Sequence, residues 1–327
     1  MTVGLIIVAV IGVLLLLGVS LMLFSFVAAR QAEKLAPPIG QCVEVDGARL
    51  HYVDRGTGSV IVMVHGLAGN LRNFYELIDR LCVDHRVVAV DRPGCGYSSM
   101  RSGKHPGMRA QATLIAQLIR KLELGQPTVV GHSMGGALAL ALAIDHPDCV
   151  RALALIAPLS NVQRAPPKAL KILRIKSPIV QWIVAWMFSA PIGKLVHPAS
   201  LKATFAPEPV VESFDTSGGG VLGIRPWAFS AACKDMVAIS RELRAIPPGY
   251  PALTIPVDVI FGQQDAVLNH ETHGEHLVAQ LQHGRLHLIE DGGHMILVTE
   301  PDRVADVIRH ATHPLPIRTT SDLKTAR

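Results

Sequence analysis

Between residues 60 and 157, short and continuously apolar runs take turns with segments whose apolar residues recur every three or four positions. The runs are VIVMVH (60–65), RVVAVD (86–91), PTVVGH (127–132) and ALALIA (152–157), and helical spacing joins Phe74, Leu77, Ile78 and Leu81, then Leu114, Ile115, Leu118, Ile119 and Leu122, then a stretch from 134 to 145. A strand with one wet face alternates apolar and polar residues, whereas a strand covered on both faces does not. The pattern therefore predicts an α/β fold, a parallel sheet with helices on both faces. The rhythm stops after Pro158. It resumes with IPVDVIFG (255–262), a helix near 271 to 282, RLHLIE (285–290), and a helix presenting Val304, Val307, Ile308 and Ala311 on one face. Ahead of it, CVEVDG and ARLHYVDRG alternate around Asp46-Gly47, a two-residue hairpin signal. The expected sheet has eight strands, mostly parallel, with a helical insertion between the sixth and seventh.

The ends and the insertion read differently. Val3 to Ala29 holds no charged side chain and is long enough to span a bilayer with some tilt. A signal peptide cut before Arg30, with Val27 and Ala29 as the small residues, is the competing reading. The apolar stretch is, however, about twice the usual length of a signal's apolar region, and no basic region precedes it. A retained transmembrane helix over 1–29 is expected, contacting the lipid bilayer through residues 3–29. A short linker over 30–40 follows, marked by Pro37-Pro38. Arg30, Lys34 and Arg49 all follow the span, which favours a cytoplasmic body. The body is expected at 41–158 and 251–312, with a cap at 159–250 and a frayed polar tail at 313–327. The cap opens basic and proline-rich, continues with the apolar IVQWIVAWMF and a loose SGGG, and ends in a helical stretch near KDMVAISREL. On a helix, Trp182 and Trp186 share a face. That face either packs on the core or lines an apolar acyl tunnel or membrane-facing lid.

Composition narrows the function classes. The five cysteines are scattered without a CxxC pair, which argues against a disulfide framework or a zinc knuckle and for ordinary buried thiols. The net charge of +5 comes from dispersed Lys and Arg, so nucleic acid is not an expected partner. With no GxGxxG, P-loop or metal-ligand spacing, no cofactor and no metal are implied.

One junction carries chemistry. Gly131-His132-Ser133-Met134-Gly135 matches G-x-S-x-G between a buried strand and a helix. A serine on so sharp a turn needs a strained backbone, and glycines on either side keep side chains from colliding across it. The same glycines would also serve mere close packing of helix on strand, so the reading depends on partners. A nucleophilic serine needs a base, an orienting carboxylate and amides for an oxyanion. His294 lies in EDGGHM after the last strand, and Asp265 lies three residues beyond the strand 255–262. Asp258 sits inside a strand, Asp291 is too close in sequence to His294, and Asp91 opens DRPGCGYS, where it braces the turn. His65-Gly66 end the strand 60–65 and begin HGLAGN, so the amides of Leu67 and Met134 are the candidate oxyanion donors. His65 and His132 are expected to support the loops rather than react.

Together HGLAGN, DRPGCGYS, GHSMGG, FGQQD and GGHM resemble the α/β-hydrolase fold family over about residues 42 to 311. The resemblance implies Ser133 as nucleophile, His294 as general base and acid, and Asp265 as the acid that orients it. It also implies residues 159–250 as the cap over the pocket. Within the family, membrane-anchored esterase and lipase-like members, including monoacylglycerol-lipase-like ones, are the nearest in appearance. Dehalogenase and epoxide-hydrolase branches carry an aspartate where this chain has Ser133, whereas a serine suits attack on the carbonyl of a small lipophilic ester. Carbon-carbon hydrolases, cofactor-free perhydrolases and a non-catalytic scaffold remain open, as does the oligomeric state.

Overall fold

The computed structural model describes residues 2–101, 105–162 and 168–312. The tail over 313–327 and part of the basic stretch that opens the insertion lie outside the described residues.

The strands are β1 (Gln41–Val45), β2 (Ala48–Arg55), β3 (Val60–Val64), β4 (Arg86–Val90), β5 (Ser99–Met100), β6 (Thr128–His132), β7 (Ala152–Ile156), β8 (Val257–Gly262) and β9 (Gly284–Ile289). They form one sheet in the order β1-β2-β4-β3-β6-β7-β8-β9, with β5 paired to β2. From β4 to β9 every pairing is parallel, and the antiparallel pairs all involve β2. The eight expected strands are present. The ninth, β5, pairs Met100 with Ala48 and Ser99 with Arg49, and is too short to leave a periodic signal. In the β1–β2 hairpin, Val45 faces Ala48 across the turn and Gly47 takes φ 68°, a left-handed conformation that a side chain would disfavour.

Two apolar layers cover the sheet. One joins Val62, Val64, Val88 and Val129 to α3 (Met108–Lys121) and α4 (Met134–Asp145). The other joins Ile61, Met63 and Val130 to α2 (Tyr75–Leu81) and to the helix Pro301–Thr312. Alternate residues of one strand thus serve opposite layers, which is why β3, β4 and β6 read as unbroken apolar runs. The cysteines are all free; Cys95, Cys149 and Cys233 are buried, whereas Cys42 and Cys82 are partly exposed, contrary to the expectation that all five are buried.

The expected linker and the loose SGGG need correction. The segment 30–40 is not a linker throughout, because α1 runs unbroken from Thr2 to Leu35. Nothing before Pro37 interrupts a helix, and Ser25, Ala28, Ala29 and Ala32 are buried on its inward face. In the insertion, the apolar patch belongs to a longer helical stretch: α5 (Pro178–Ile183), a single π-helical turn (Val184–Phe188) and α6 (Ser189–Phe205). Both Val3–Leu35 and Pro178–Phe205 are long and apolar enough to cross a membrane, with mean hydropathies of 3.1 and 1.5. The SGGG is not loose either. Asn73 Nδ2 donates to Gly218 O at 2.8 Å and Asn70 Nδ2 to Gly219 O at 3.0 Å. The insertion closes with α7 (Pro226–Glu242), which packs on α3.

Candidate active site

Ser133 occupies the turn between β6 and α4 with φ 54° and ψ −120°, a conformation that costs a non-glycine residue about 1–3 kcal/mol. The surroundings hold it there. Ser133 N donates to Ile156 O at 3.0 Å, and Ser133 O accepts from Gly136 N and Leu159 N, both at 2.9 Å. A Cβ on Gly131 would stand 2.5 Å from Gly135 O, and one on Gly136 2.5 Å from Pro158 Cβ. A Cβ on Gly135 would run into the backbone of Val64 and His65. The glycines are thus required both by the tight turn and by the close approach of α4 to the sheet. Ser133 itself is only partly buried.

His294 and Asp265 are brought together by the neighbouring strand ends. The loops after β8 and β9 lie so close that Gln264 N donates to Gly292 O at 2.9 Å, and a Cβ on Gly262 would stand 2.5 Å from Gly293 O. Asp265 Oδ2 lies 2.7 Å from His294 Nδ1, while Oδ1 accepts from Val267 N at 2.7 Å and Leu268 N at 2.9 Å. Burial by itself would raise the Asp265 carboxyl. The His294 imidazole and the two amides outweigh it and hold the group below the ordinary carboxylate range. An ionised Asp265 accepts from Nδ1–H, which leaves the lone pair of His294 on Nε2. His132 Nε2 lies 3.1 Å from His294 O, and the two rings are 4.9 Å apart, so the residue before Ser133 holds the histidine loop. Among the described residues no hydrogen bond joins Ser133 Oγ to the His294 ring. Such bonds are often long before substrate arrives.

The HGLAGN loop is fixed from behind. Gly66 O accepts from Arg92 Nη2 at 2.9 Å, from His65 Nδ1 at 2.9 Å and from Gly69 N at 3.3 Å. In a trans peptide the N–H points opposite to the C=O, so Leu67 N–H is directed away from Arg92. His65 must carry its proton on Nδ1, because Nε2 accepts from Arg92 N at 2.9 Å. Burial, then the nearby Arg92 charge, push its pKa down to about 3. Burial, then the His294 ring, do the same for His132, also to about 3. Both histidines are therefore neutral braces, as their position beside the loops suggests. Asp91 braces its turn as expected, accepting from Leu71 N and Tyr97 N and facing His51 Nδ1 at 2.7 Å. Asp258 is tied to Arg285 and His287 and Asp291 to Gln264, so neither reaches His294.

The sequence reading missed Arg92 and Asp235. Both are wholly buried, and Arg92 Nη1 lies 2.8 Å from Asp235 Oδ2 on α7. Arg92 also donates to His65 O at 3.0 Å and to Gln111 Oε1 at 2.9 Å. His105 and Gln111 complete the shell of Asp235 at 2.7 and 2.8 Å. One arginine thus links the HGLAGN loop to the insertion. Its only sequence signal is its place after Asp91 at a strand end, and Asp235 has none.

Comparison with known proteins agrees with this architecture. Residues 59–208 match the model of the alpha/beta hydrolase fold. The chain is 35% identical over 121 residues to a 2-hydroxy-6-oxo-2,4-heptadienoate hydrolase of Pseudomonas putida, covering 36% of this chain and 44% of that one. It is 26% identical over 299 residues to a poly(3-hydroxyalkanoate) depolymerase of Ectopseudomonas oleovorans, covering 86% and 98%. The match spans only 34% to 45% of the length of the first curated relatives. Among solved structures, a thermophilic esterase from Thermogutta terrifontis superposes with a TM-score of 0.66 at 26% identity, over 83% of this chain and 97% of that one. A mostly parallel sheet with helices on both faces, a serine on a strained strand-to-helix turn and these likenesses lead to one assignment: the chain has the α/β-hydrolase fold.

Proposed function

We propose that this protein cleaves carboxylic esters, lipophilic ones above all, through an acyl-enzyme on Ser133. The observation that carries the reading is the combination of a strained, partly buried Ser133 with a buried Asp265–His294 couple whose loop is bonded to the residue before the serine. Ser133 Oγ attacks the ester carbonyl carbon and His294 Nε2 takes its proton. The amides of Leu67 and Met134 receive the oxyanion, Met134 from the first turn of α4. The alcohol leaves with the proton from Nε2. Water then gives a proton to Nε2 and its oxygen to the acyl carbon, and Nε2 returns the proton to Oγ as the acyl C–Oγ bond breaks, which releases the acid and restores Ser133. Residues 159–250 act as a cap over the pocket. Their apolar cluster of Leu173, Ala232, Cys233 and Met236 packs against Leu67, which favours apolar substrates. Residues 3–29 anchor the protein in the bilayer with the body on the cytoplasmic side. The continuous helix to Leu35 and its docking on the body support a retained anchor over a cleaved signal.

The test is labelling with a fluorophosphonate, followed by p-nitrophenyl esters of increasing acyl length, with Ser133→Ala as control. Wild type should label and turn over medium or long esters, and Ser133→Ala should do neither. Labelling that survives in Ser133→Ala would sink the mechanism. The similarity to a heptadienoate hydrolase favours carbon-carbon cleavage as a second reading. Activity confined to ring-cleavage diketones would select it.

A further inference from the structure

All three tryptophans of the chain, Trp182, Trp186 and Trp227, line one cavity of about 660 Å³, and Ser133 is not among its walls. The cavity lies between the end of α1, the loop over Gly94–Met100, and the helices α5 and α7 of the insertion. Trp182 is half exposed, and Trp186 and Trp227 stand 6.4 Å apart.

The charges on the walls do not balance. Arg30, Arg225 and Lys234 line the cavity together with a single carboxylate, Glu33. Glu33 is shared between Arg30 at 3.1 Å and Arg225 at 3.4 Å. Arg225 is held in place by Gly96 O at 2.6 Å and Leu222 O at 3.1 Å, with its guanidinium 5.0 Å from the Tyr97 ring and 5.2 Å from the Trp227 ring. Lys234 is only partly buried and has no carboxylate partner among the described residues. An aromatic cavity with surplus cations favours an anion, and an ammonium on its wall without a carboxylate partner gives that anion a contact.

Position narrows the class of anion. Phe26 and Arg30 mark where the charge-free stretch of α1 ends, and both line the cavity. With α1 across a bilayer, the cavity stands at headgroup depth, where tryptophans concentrate and basic pockets take lipid headgroups. Ile179 and Ile183 flank Trp182 with exposed apolar side chains, a surface on which an acyl chain can lie.

We propose that this cavity binds the phosphate headgroup of an anionic phospholipid, at a site separate from Ser133. The inference rests on α1 spanning a membrane and is independent of ester cleavage. The test uses the full chain carrying Ser133→Ala in neutral detergent, so that no lipid is consumed, with intrinsic tryptophan emission as the readout. Dioctanoyl phosphatidylglycerol should produce a saturable change. Lys234→Gln and Arg30→Gln should each raise the half-saturating concentration about fivefold, the factor one cation contributes at an anionic membrane surface. Dioctanoyl phosphatidylcholine titrating at the same concentrations would reduce the effect to apolar partition and overturn the proposal. Inorganic phosphate saturating the change alone would assign the site to a soluble anion, and variants that bind like the parent would remove the charge argument. Both of these results overturn the proposal too. Loss of esterase activity plays no part in the readout, so failure here is distinct from failure of the hydrolase reading.

Discussion

Replacing Arg92 by methionine tests how the insertion and the HGLAGN loop depend on one buried ion pair. Methionine keeps an unbranched apolar stem but removes the guanidinium, leaving Asp235 wholly buried with His105 and Gln111 as its remaining partners. Removing one member of a buried pair costs about 3–5 kcal/mol, and with two partners retained the lower end, about 3 kcal/mol, is expected. That is a large share of the roughly 5–15 kcal/mol that holds a domain together. The catalytic effect is separate. Gly66 O keeps its bonds from His65 Nδ1 and Gly69 N, so the loop loosens without collapsing. If Leu67 N–H then misses the oxyanion, kcat should fall about 100-fold, the lower range for losing one donor, with KM within about threefold. Asp235→Asn is the control. It removes the charge but keeps an acceptor for Arg92, so it should lose stability while holding kcat within about fivefold of wild type. Urea unfolding with comparison of slopes, and p-nitrophenyl ester kinetics, supply both numbers. The Asp235 carboxyl is held well below the ordinary carboxylate range, because the Arg92 charge and the His105 and Gln111 bonds outweigh its burial. Its contribution is present above the unfolded value of about 3.9 and is lost only as pH falls through the lower folded value. The stability gap between Asp235→Asn and wild type should therefore stay constant from neutral pH down to about pH 5. An Arg92→Met enzyme with wild-type kcat and reduced stability would show the arginine to be structural alone, and unchanged stability would refute the ion-pair argument itself.

Two further predictions concern pH and the anchor. His65 and His132, with pKa values pushed down to about 3, and His273, down to about 4, are neutral when folded and take up protons on unfolding below about pH 6.5. Stability from these residues is complete above that pH and declines towards pH 4, by on the order of 1–2 kcal/mol each at pH 5; a urea midpoint that does not move between pH 7 and pH 5 would contradict their burial as neutral rings. Deleting residues 2–22 leaves Ala28, Ala29, Ala32 and Glu33 docked, whereas deleting 2–36 removes the Glu33–Arg225 pair and the Tyr97 Oη bond to Ala36 O. Thermal unfolding in detergent should show the shorter deletion within a few degrees of full length and the longer one clearly lower, and equal melting of the two would refute the docking.

Much of the core was legible because burial on both faces writes itself into a strand as unbroken apolar residues, as in VIVMV and ALALI, and because two-residue turns leave a signal such as Asp46-Gly47. Ser133, Asp265 and His294 were legible as candidates for a related reason. Each lies in a short segment following a recognisable strand, and a parallel sheet delivers such segments to the same edge. The insertion was less legible. Its apolar patch gave no sign of how far the helix extends, yet helical structure runs from Pro178 to Phe205 with Pro198 inside α6. Proline forbids one backbone bond and crowds one turn, and tertiary contacts decide whether the helix ends there.

The sequence by itself determined the order of strands and helices, the charge-free first helix and the strand-to-helix junction at Ser133, since these depend on neighbours along the chain. Only the tertiary structure decided that Arg92 joins Asp235 across 143 residues, that Glu33 at the end of α1 meets Arg225, and that Trp227 of α7 joins Trp182 and Trp186 in one cavity. Such pairings depend on which side chains fill the same space once helices pack on the sheet. Periodicity reports which face of an element is buried, and it carries no record of what is buried against it.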